Sequence, residues 1–318
     1  MKDDICLSII IPVYNAEPYL SKCMDALLST DNIDDAEIII VDDGSTDGSS
    51  DTAFEYASRC PFISVFHKEN GGPSDARNFG LSNAKGKYIF FCDSDDEVIP
   101  ERFAEIIKLT KSVDTDVILW DSMLIDKDGS TLEREDKNDY IHFCLKGGKT
   151  ELTGREYLEA QFSPKSIFPA TVWTGAFRRD FLISNKLLFE KDLIHEDELW
   201  ITKVFLCASS IRYVSEVIYQ YRIRQGSITN PETEDRTKHI ESLLIIYPKL
   251  FAFCEEKLSG DPLLKKIEGA LTQRYLYMIY KYNFNRFGYY KSIDRKKLWK
   301  TSTRLKDKIK IILLPFKR

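Results

Sequence analysis

Four short apolar runs, separated by segments with helical character, constrain the first hundred residues more than any other feature. Leu7 to Val13, Glu37 to Val41, Ile63 to Phe66 and Tyr88 to Cys92 are dense in isoleucine, valine and phenylalanine. Uninterrupted runs of this kind are strands buried on both faces. Glu17 to Ser29, Gly48 to Ser58 and Ser74 to Ala84 lie between them and read as helices. Strand and helix alternating at this spacing predict an α/β fold with a parallel sheet and right-handed crossovers. Pro100 suits the first turn of a further helix reaching about Lys111. Val117 to Ile125 is another strand, ending in the turn Asp126 to Gly129. Residues 130–148 are polar and irregular and read as an inserted loop or hairpin. Tyr157 to Phe181 reads as loop plus short helix, Glu198 to Ala208 as helix, Tyr213 to Tyr221 as strand, and the chain from Asp235 onward as helical.

Polar residues collect at the ends of these strands, where open α/β sheets bind ligands. The first strand ends Pro12-Val13-Tyr14-Asn15, the second Asp42-Asp43-Gly44-Ser45-Thr46-Asp47, the fourth Asp93-Ser94-Asp95-Asp96. Converging, they supply an aromatic ring and at least four carboxylates. Tyr14 can stack on a nucleobase. Asp42 or Asp43 can accept from a base imide N–H or a ribose hydroxyl, while the same turn also caps a helix. Asp93 and Asp95 share a face if strand geometry persists. Two hard oxygen donors there suit Mg²⁺ or Mn²⁺ carrying a phosphorylated ligand; taken alone, such a turn is equally at home as a solvated loop. In Gly71-Gly72-Pro73-Ser74 the glycines let backbone approach a ligand. Ser74 can cap the next helix, with Arg77 in its first turn within reach of a phosphate. Farther on, His195-Glu196-Asp197-Glu198 offers either a general base or simple helix-dipole compensation. Arg222 and Arg224 can neutralise a diphosphate or stand as solvated edge charges.

Composition narrows the partners. The net charge of −5 argues against nucleic acid. From Lys291 to Arg318 there are 11 basic and 2 acidic residues, a net of +9, which leaves −14 on the rest of the chain. A basic tail on an acidic body points to an anionic surface as partner of the tail. Seven cysteines, odd in number and without a Cys-x-x-Cys, fit reduced thiols in a cytosol. No signal peptide is expected, and no apolar run approaches the ~18 residues of a membrane span.

Taken together these residues closely resemble the family 2 glycosyltransferases of the GT-A fold, of the sort that decorate bacterial polysaccharides. The resemblance rests on Ser8 to Asn15 with Glu17, Tyr19 and Leu20; Ile40 to Asp47; Gly71 to Ser74 through Arg77 and Asn78; Asp93 to Asp96 with Pro100; and Glu196-Asp197. It implies a GT-A catalytic domain over 1–230, with a Rossmann-like nucleotide-sugar half (1–112) and an acceptor half (113–230). A helical extension follows over 231–318. It further implies a nucleotide site lined by Pro12, Tyr14, Glu17 and Gly71, with Asp43 on the base, typically uracil. Arg77 would lie near the diphosphate, Asp93 and Ser94 at the ribose side, and Asp95 on a divalent metal, Mn²⁺ or Mg²⁺. Trp173 would line the sugar or acceptor pocket. Asp197 would be the base of an inverting enzyme, its pKa kept low by the metal nearby. The implied partners are a nucleotide-sugar donor and a glycan or lipid-linked acceptor. A silent sugar-nucleotide or glycan-binding protein of the same fold is the alternative.

Other nucleotide folds do not match. A dinucleotide-binding dehydrogenase requires Gly-x-Gly-x-x-Gly after the first strand, where this chain has Pro12-Val13-Tyr14-Asn15-Ala16-Glu17. At the other end, Lys296 to Arg318 reads as one basic amphipathic helix with Leu298, Leu305, Ile309, Ile312 and Phe316 on one face. Such a helix predicts either peripheral contact with the inner face of the cytoplasmic membrane or docking on the domain.

Overall fold

The computed structural model describes residues 5–132, 140–141, 149–162, 170–223, 236–285 and 288–314. The chain runs β1 (Leu7–Val13), α1 (Glu17–Leu28), β2 (Ala36–Asp42), α2 (Ser49–Arg59), β3 (Ile63–His67), α3 (Gly72–Asn83), β4 (Tyr88–Phe91), β5 (Glu97–Val98) and α4 (Pro100–Ser112). It continues with β6 (Val117–Ile125), β7 (Tyr140–Ile141), β8 (Glu151–Leu152), α5 (Gly154–Gln161), β9 (Gly175–Arg178), α6 (Arg179–Ser184), α7 (Glu196–Cys207) and β10 (Ile211–Arg222). Among the described residues, α8 (Thr237–Lys257), α9 (Pro262–Lys281), α10 (Arg295–Thr301) and α11 (Leu305–Leu313) follow.

The main sheet has the strand order β3-β2-β1-β4-β9-β6-β10-β5. β3, β2, β1 and β4 are mutually parallel, and β6 pairs parallel with β10. The α/β class with a mostly parallel sheet is therefore as the apolar runs predict. Parallel pairing brings the carboxyl ends of β1, β2 and β4 to one edge, with Val13 opposite Asp42 and Ile10 opposite Phe91. A continuous hydrophobic core extends from β1 to Leu314 and includes the C-terminal helices.

Three expectations fail. β9 lies inside the stretch read as loop plus helix, and it runs antiparallel between β4 and β6. It is only Gly-Ala-Phe-Arg, too short for a periodic signal, and β6 passes close enough that a Cβ on Gly175 would sit 2.4 Å from the Ile118 carbonyl oxygen. α3 begins at Gly72, two residues early, so Ser74 is buried inside the helix and does not cap it. The tail is two helices rather than one. Leu298 in α10 is 1% exposed and packs inward, whereas Leu305 is 76% exposed, and Phe316 lies outside the described residues. Much of the 130–148 insertion also lies outside them, as do Arg224 and Cys144.

Candidate functional site

Three adjacent strand ends carry the polar residues. Tyr14, just past β1, is 53% exposed at this edge. Asn15 has φ 48 and ties the first two ends together: its Oδ1 accepts from the Thr46 amide at 2.8 Å, and its own amide donates to Ser45 Oγ at 3.1 Å. The Glu17 amide donates to Asp47 at 3.1 Å. Pro12 is half-buried beside them.

Asp43 is held on all sides. Its Oδ1 accepts from Lys68 Nζ at 2.6 Å and the Gly71 amide at 2.9 Å, and its Oδ2 from the Gly72 amide at 2.7 Å. Gly72 has φ +81, which a side chain would strain, so glycine is needed for that amide to face the carboxylate. Neighbouring Asp42 is fully buried and accepts from the Ser45 amide and His67 Nδ1. Burial alone would raise its pKa, but these hydrogen bonds outweigh burial and hold it below the ordinary value.

The turn after β4 behaves differently. β4 ends at Phe91, so strand geometry does not persist through Asp93 to Asp95; a turn forms in which the Asp96 amide donates to the Asp93 carbonyl at 3.2 Å. Asp93 accepts from Arg77 at 2.9 Å, and Ser94 is buried. Asp96 is fully buried and accepts from Tyr219 Oη and the Arg222 amide, both at 2.7 Å. Burial, reinforced by Asp95 and Asp93, pushes Asp96 well above the usual carboxylate range. Asp93 is raised too, by burial and by Asp95 and Glu196, against the pull of Arg77. Repulsion among these carboxylates thus opposes their full ionisation.

Arg77 joins this turn to α7. It is 6% exposed, and its other nitrogen donates to Glu196 at 2.6 Å, with the guanidinium over the Phe189 ring. It is committed to protein carboxylates rather than open to a phosphate. Arg222 is committed likewise, to Glu97 and to the carbonyls of Asp95, Asp126 and Lys127. Asp197, in the first turn of α7, sits between two ion-paired glutamates: Glu196 with Arg77, and Glu198 with Arg274 and Tyr247. Burial, with Glu196 and Glu198, pushes Asp197 well above the ordinary carboxylate value; Arg77 opposes this. The low pKa expected for Asp197 is therefore reversed in the protein alone. Trp173 is placed in the core, 4% exposed and stacked on Tyr219 at 4.7 Å and Tyr221 at 5.2 Å.

Among the described residues no group of three His, Cys, Asp or Glu side chains is arranged to hold a metal ion. The donor chemistry at Asp93 and Asp95 nevertheless fits a divalent cation, which takes hard carboxylate oxygens and relieves repulsion between neighbouring carboxylates. Such a cation would need ligands from a bound phosphate as well. The pairing partners Lys68, Tyr219, Tyr247 and Arg274 could not be found from sequence, since each lies far along the chain from its carboxylate and in no motif.

Residues 8–184 match the profile of the family described as Glycosyl transferase family 2. The chain belongs to that family. Among curated relatives of this family 2 member is the uncharacterized glycosyltransferase YibD of Escherichia coli, 33% identical over 70% of this chain and 63% of YibD. The chain thus spans less than two thirds of that relative's length. Among solved structures, S. aureus TarS in complex with UDP-GlcNAc superposes with TM-score 0.64 at 22% identity, over 97% of this chain and 79% of TarS. The mannosyltransferase PcManGT from Pyrobaculum calidifontis, in complex with GDP-Man and Mn²⁺, gives 0.53 at 17% identity, over 89% and 74%. These likenesses establish the GT-A fold of the family 2 chain.

Proposed function

We propose that the chain is an inverting glycosyltransferase that moves a sugar from a nucleotide-sugar donor, a UDP-sugar, to a hydroxyl of a glycan or lipid-linked acceptor in cell-surface polysaccharide synthesis. Its place of work on this reading is the inner face of the cytoplasmic membrane, where a lipid-linked acceptor would be presented. The observation that carries the reading is Arg77, which binds Asp93 beyond β4 and Glu196 beside Asp197, drawing a donor-side turn and a candidate base together. TarS and PcManGT support it as proteins of this fold seen with nucleotide sugars.

Tyr14 stacks on the base and Asp43, fixed by the Gly71-Gly72 turn, accepts from it. Pro12 and Glu17 complete the nucleotide side. Asp93 and Ser94 take the ribose. Asp95 would hold a divalent cation, which when bound would offset charge on the departing diphosphate. Asp197 accepts the acceptor's proton as its oxygen attacks the anomeric carbon opposite the leaving group, so an α-linked donor gives a β-glycoside. A raised pKa suits a base working near neutral pH, and turnover falls as pH drops through it.

The test is release of nucleoside diphosphate from a panel of sugar nucleotides with acceptor extract, with Mn²⁺ and with EDTA. Asp197→Asn should lower turnover by about 10²–10⁴ while UDP affinity by calorimetry stays within a few-fold. A collapse of UDP binding in that variant removes Asp197 from the role of base. UDP binding without release from any donor favours the silent binding protein.

A further inference from the structure

Among the described residues, α11 buries one side against the protein and leaves an apolar stripe exposed on the other. Asp307, Ile311 and Leu314 are buried against the protein. Arg304 fixes the start of the helix through two hydrogen bonds to Asp307, at 2.6 and 3.0 Å. Tyr280 of α9 donates to the Lys310 carbonyl at 3.0 Å. On the opposite side Leu305, Ile309, Ile312 and Leu313 are exposed at 76%, 48%, 54% and 47%. Their spacing of i, i+4, i+7 and i+8 makes one stripe. Lys306 and Lys308 flank it, and Lys308 Nζ lies 5.1 Å over the ring of Trp299, which is 45% exposed on α10. The other three tryptophans are buried.

We infer that this outward stripe, with Trp299 and its bordering lysines, is a preformed contact for an anionic lipid surface, lying in the plane of the interface while the inner face of α11 stays docked. Docking of the inner side leaves the outer stripe exposed. Charge favours this occupant: the segment from Lys291 carries +9, and lysines around an apolar stripe match an acidic headgroup layer. A second copy of the chain is disfavoured by size, since five side chains fall well short of the ~800 Å² per partner of a stable interface. Among the described residues no helix is long and apolar enough to cross a membrane, so contact in the plane is the mode available to them. None of this depends on the donor or on turnover.

The experiment is flotation of the full chain with phosphatidylcholine vesicles and with vesicles of equal parts phosphatidylcholine and phosphatidylglycerol, followed in parallel by Trp299 fluorescence. Binding to the anionic vesicles, a blue shift, and weakening by salt are expected. Ile309→Asp with Ile312→Asp should cut binding by about tenfold per side chain. Lys306→Glu should cut it by about fivefold or more. All three positions are exposed, and unchanged circular dichroism will confirm the fold. Absence of binding by the unaltered chain, equal binding to both vesicle types, or binding indifferent to the stripe substitutions would each overturn the inference. So would a dimer by light scattering that the stripe substitutions abolish.

Discussion

The acidic turns after β2 and β4 look alike in sequence, and the protein treats them in opposite ways. After β2, Asp42 and Asp43 are met by backbone amides, a histidine and a lysine. Donors of that kind lower the cost of an ionised carboxylate, and Asp42 is correspondingly depressed. After β4, the carboxylates face one another and a neighbouring glutamate, with Arg77 shared between Asp93 and Glu196. Asp93 and Asp96 are raised. The same residue type thus builds a scaffold rich in donors at one strand end and a cluster of mutually repelling carboxylates at the next. A charged ligand or cation has something to gain only at the second.

The largest test of that contrast is Asp95→Ala. If the second turn works by drawing in a cation, donor turnover should fall on the order of a thousandfold, and the thermal stabilisation that Mn²⁺ with UDP gives the unaltered chain should vanish. Calorimetry and melting curves read this directly; undiminished Mn²⁺ stabilisation in the variant would show that the cation sits elsewhere. Next is Arg77→Ala, which removes the guanidinium bridging half-buried Asp93 and buried Glu196 and should cost about 3–5 kcal/mol of stability. Asp43→Ala should cost less, about 1–3 kcal/mol, because it strands the Gly71 and Gly72 amides without leaving a buried charge. Denaturant midpoints that reverse this order would break the comparison. Smaller still is Asp96→Asn, expected to change stability by less than about 1 kcal/mol. The amide oxygen can receive the Arg222 N–H, its NH2 can donate to the Tyr219 hydroxyl oxygen, which also accepts, and the repulsion from Asp93 and Asp95 is gone.

The frame of the fold was legible because a buried parallel strand needs a continuous apolar run. β1, β2, β4 and β6 each have one, and their bounds fall within a residue or so of those runs, whereas β3, at the sheet edge, is only partly buried. β9 was not legible: four residues carry no periodicity, and what holds Gly175 in place is the backbone of β6, remote in sequence. The tail failed for a related reason. A helical stripe can be read from spacing, but the break at Ser302 and the turning of Leu298 toward the core are set by tertiary contacts such as that between Thr272 and Thr301. At the site, residue types and their strand-end positions were readable, whereas pairings were not. Arg77 looked like a phosphate ligand because its partner Glu196 lies 119 residues away.

The smallest expected effect concerns pH, and the two turns should give it opposite signs. Asp42 is depressed when folded, so its contribution is present above the unfolded value of 3.8 and is lost as pH falls through its folded pKa. Asp96 is raised when folded, so its contribution is complete below 3.8 and is lost as pH climbs through its folded pKa. Without divalent cations, melting temperature should therefore decline from mildly acidic toward neutral pH, and Asp96→Asn should flatten the decline while leaving the acid limb below pH 3.8 where it was. A variant whose curve parallels that of the unaltered chain would mean that the second turn is neutralised after all. Mn²⁺ with UDP should flatten the same slope in the unaltered chain, because a cation held at Asp95 relieves the repulsion that makes it.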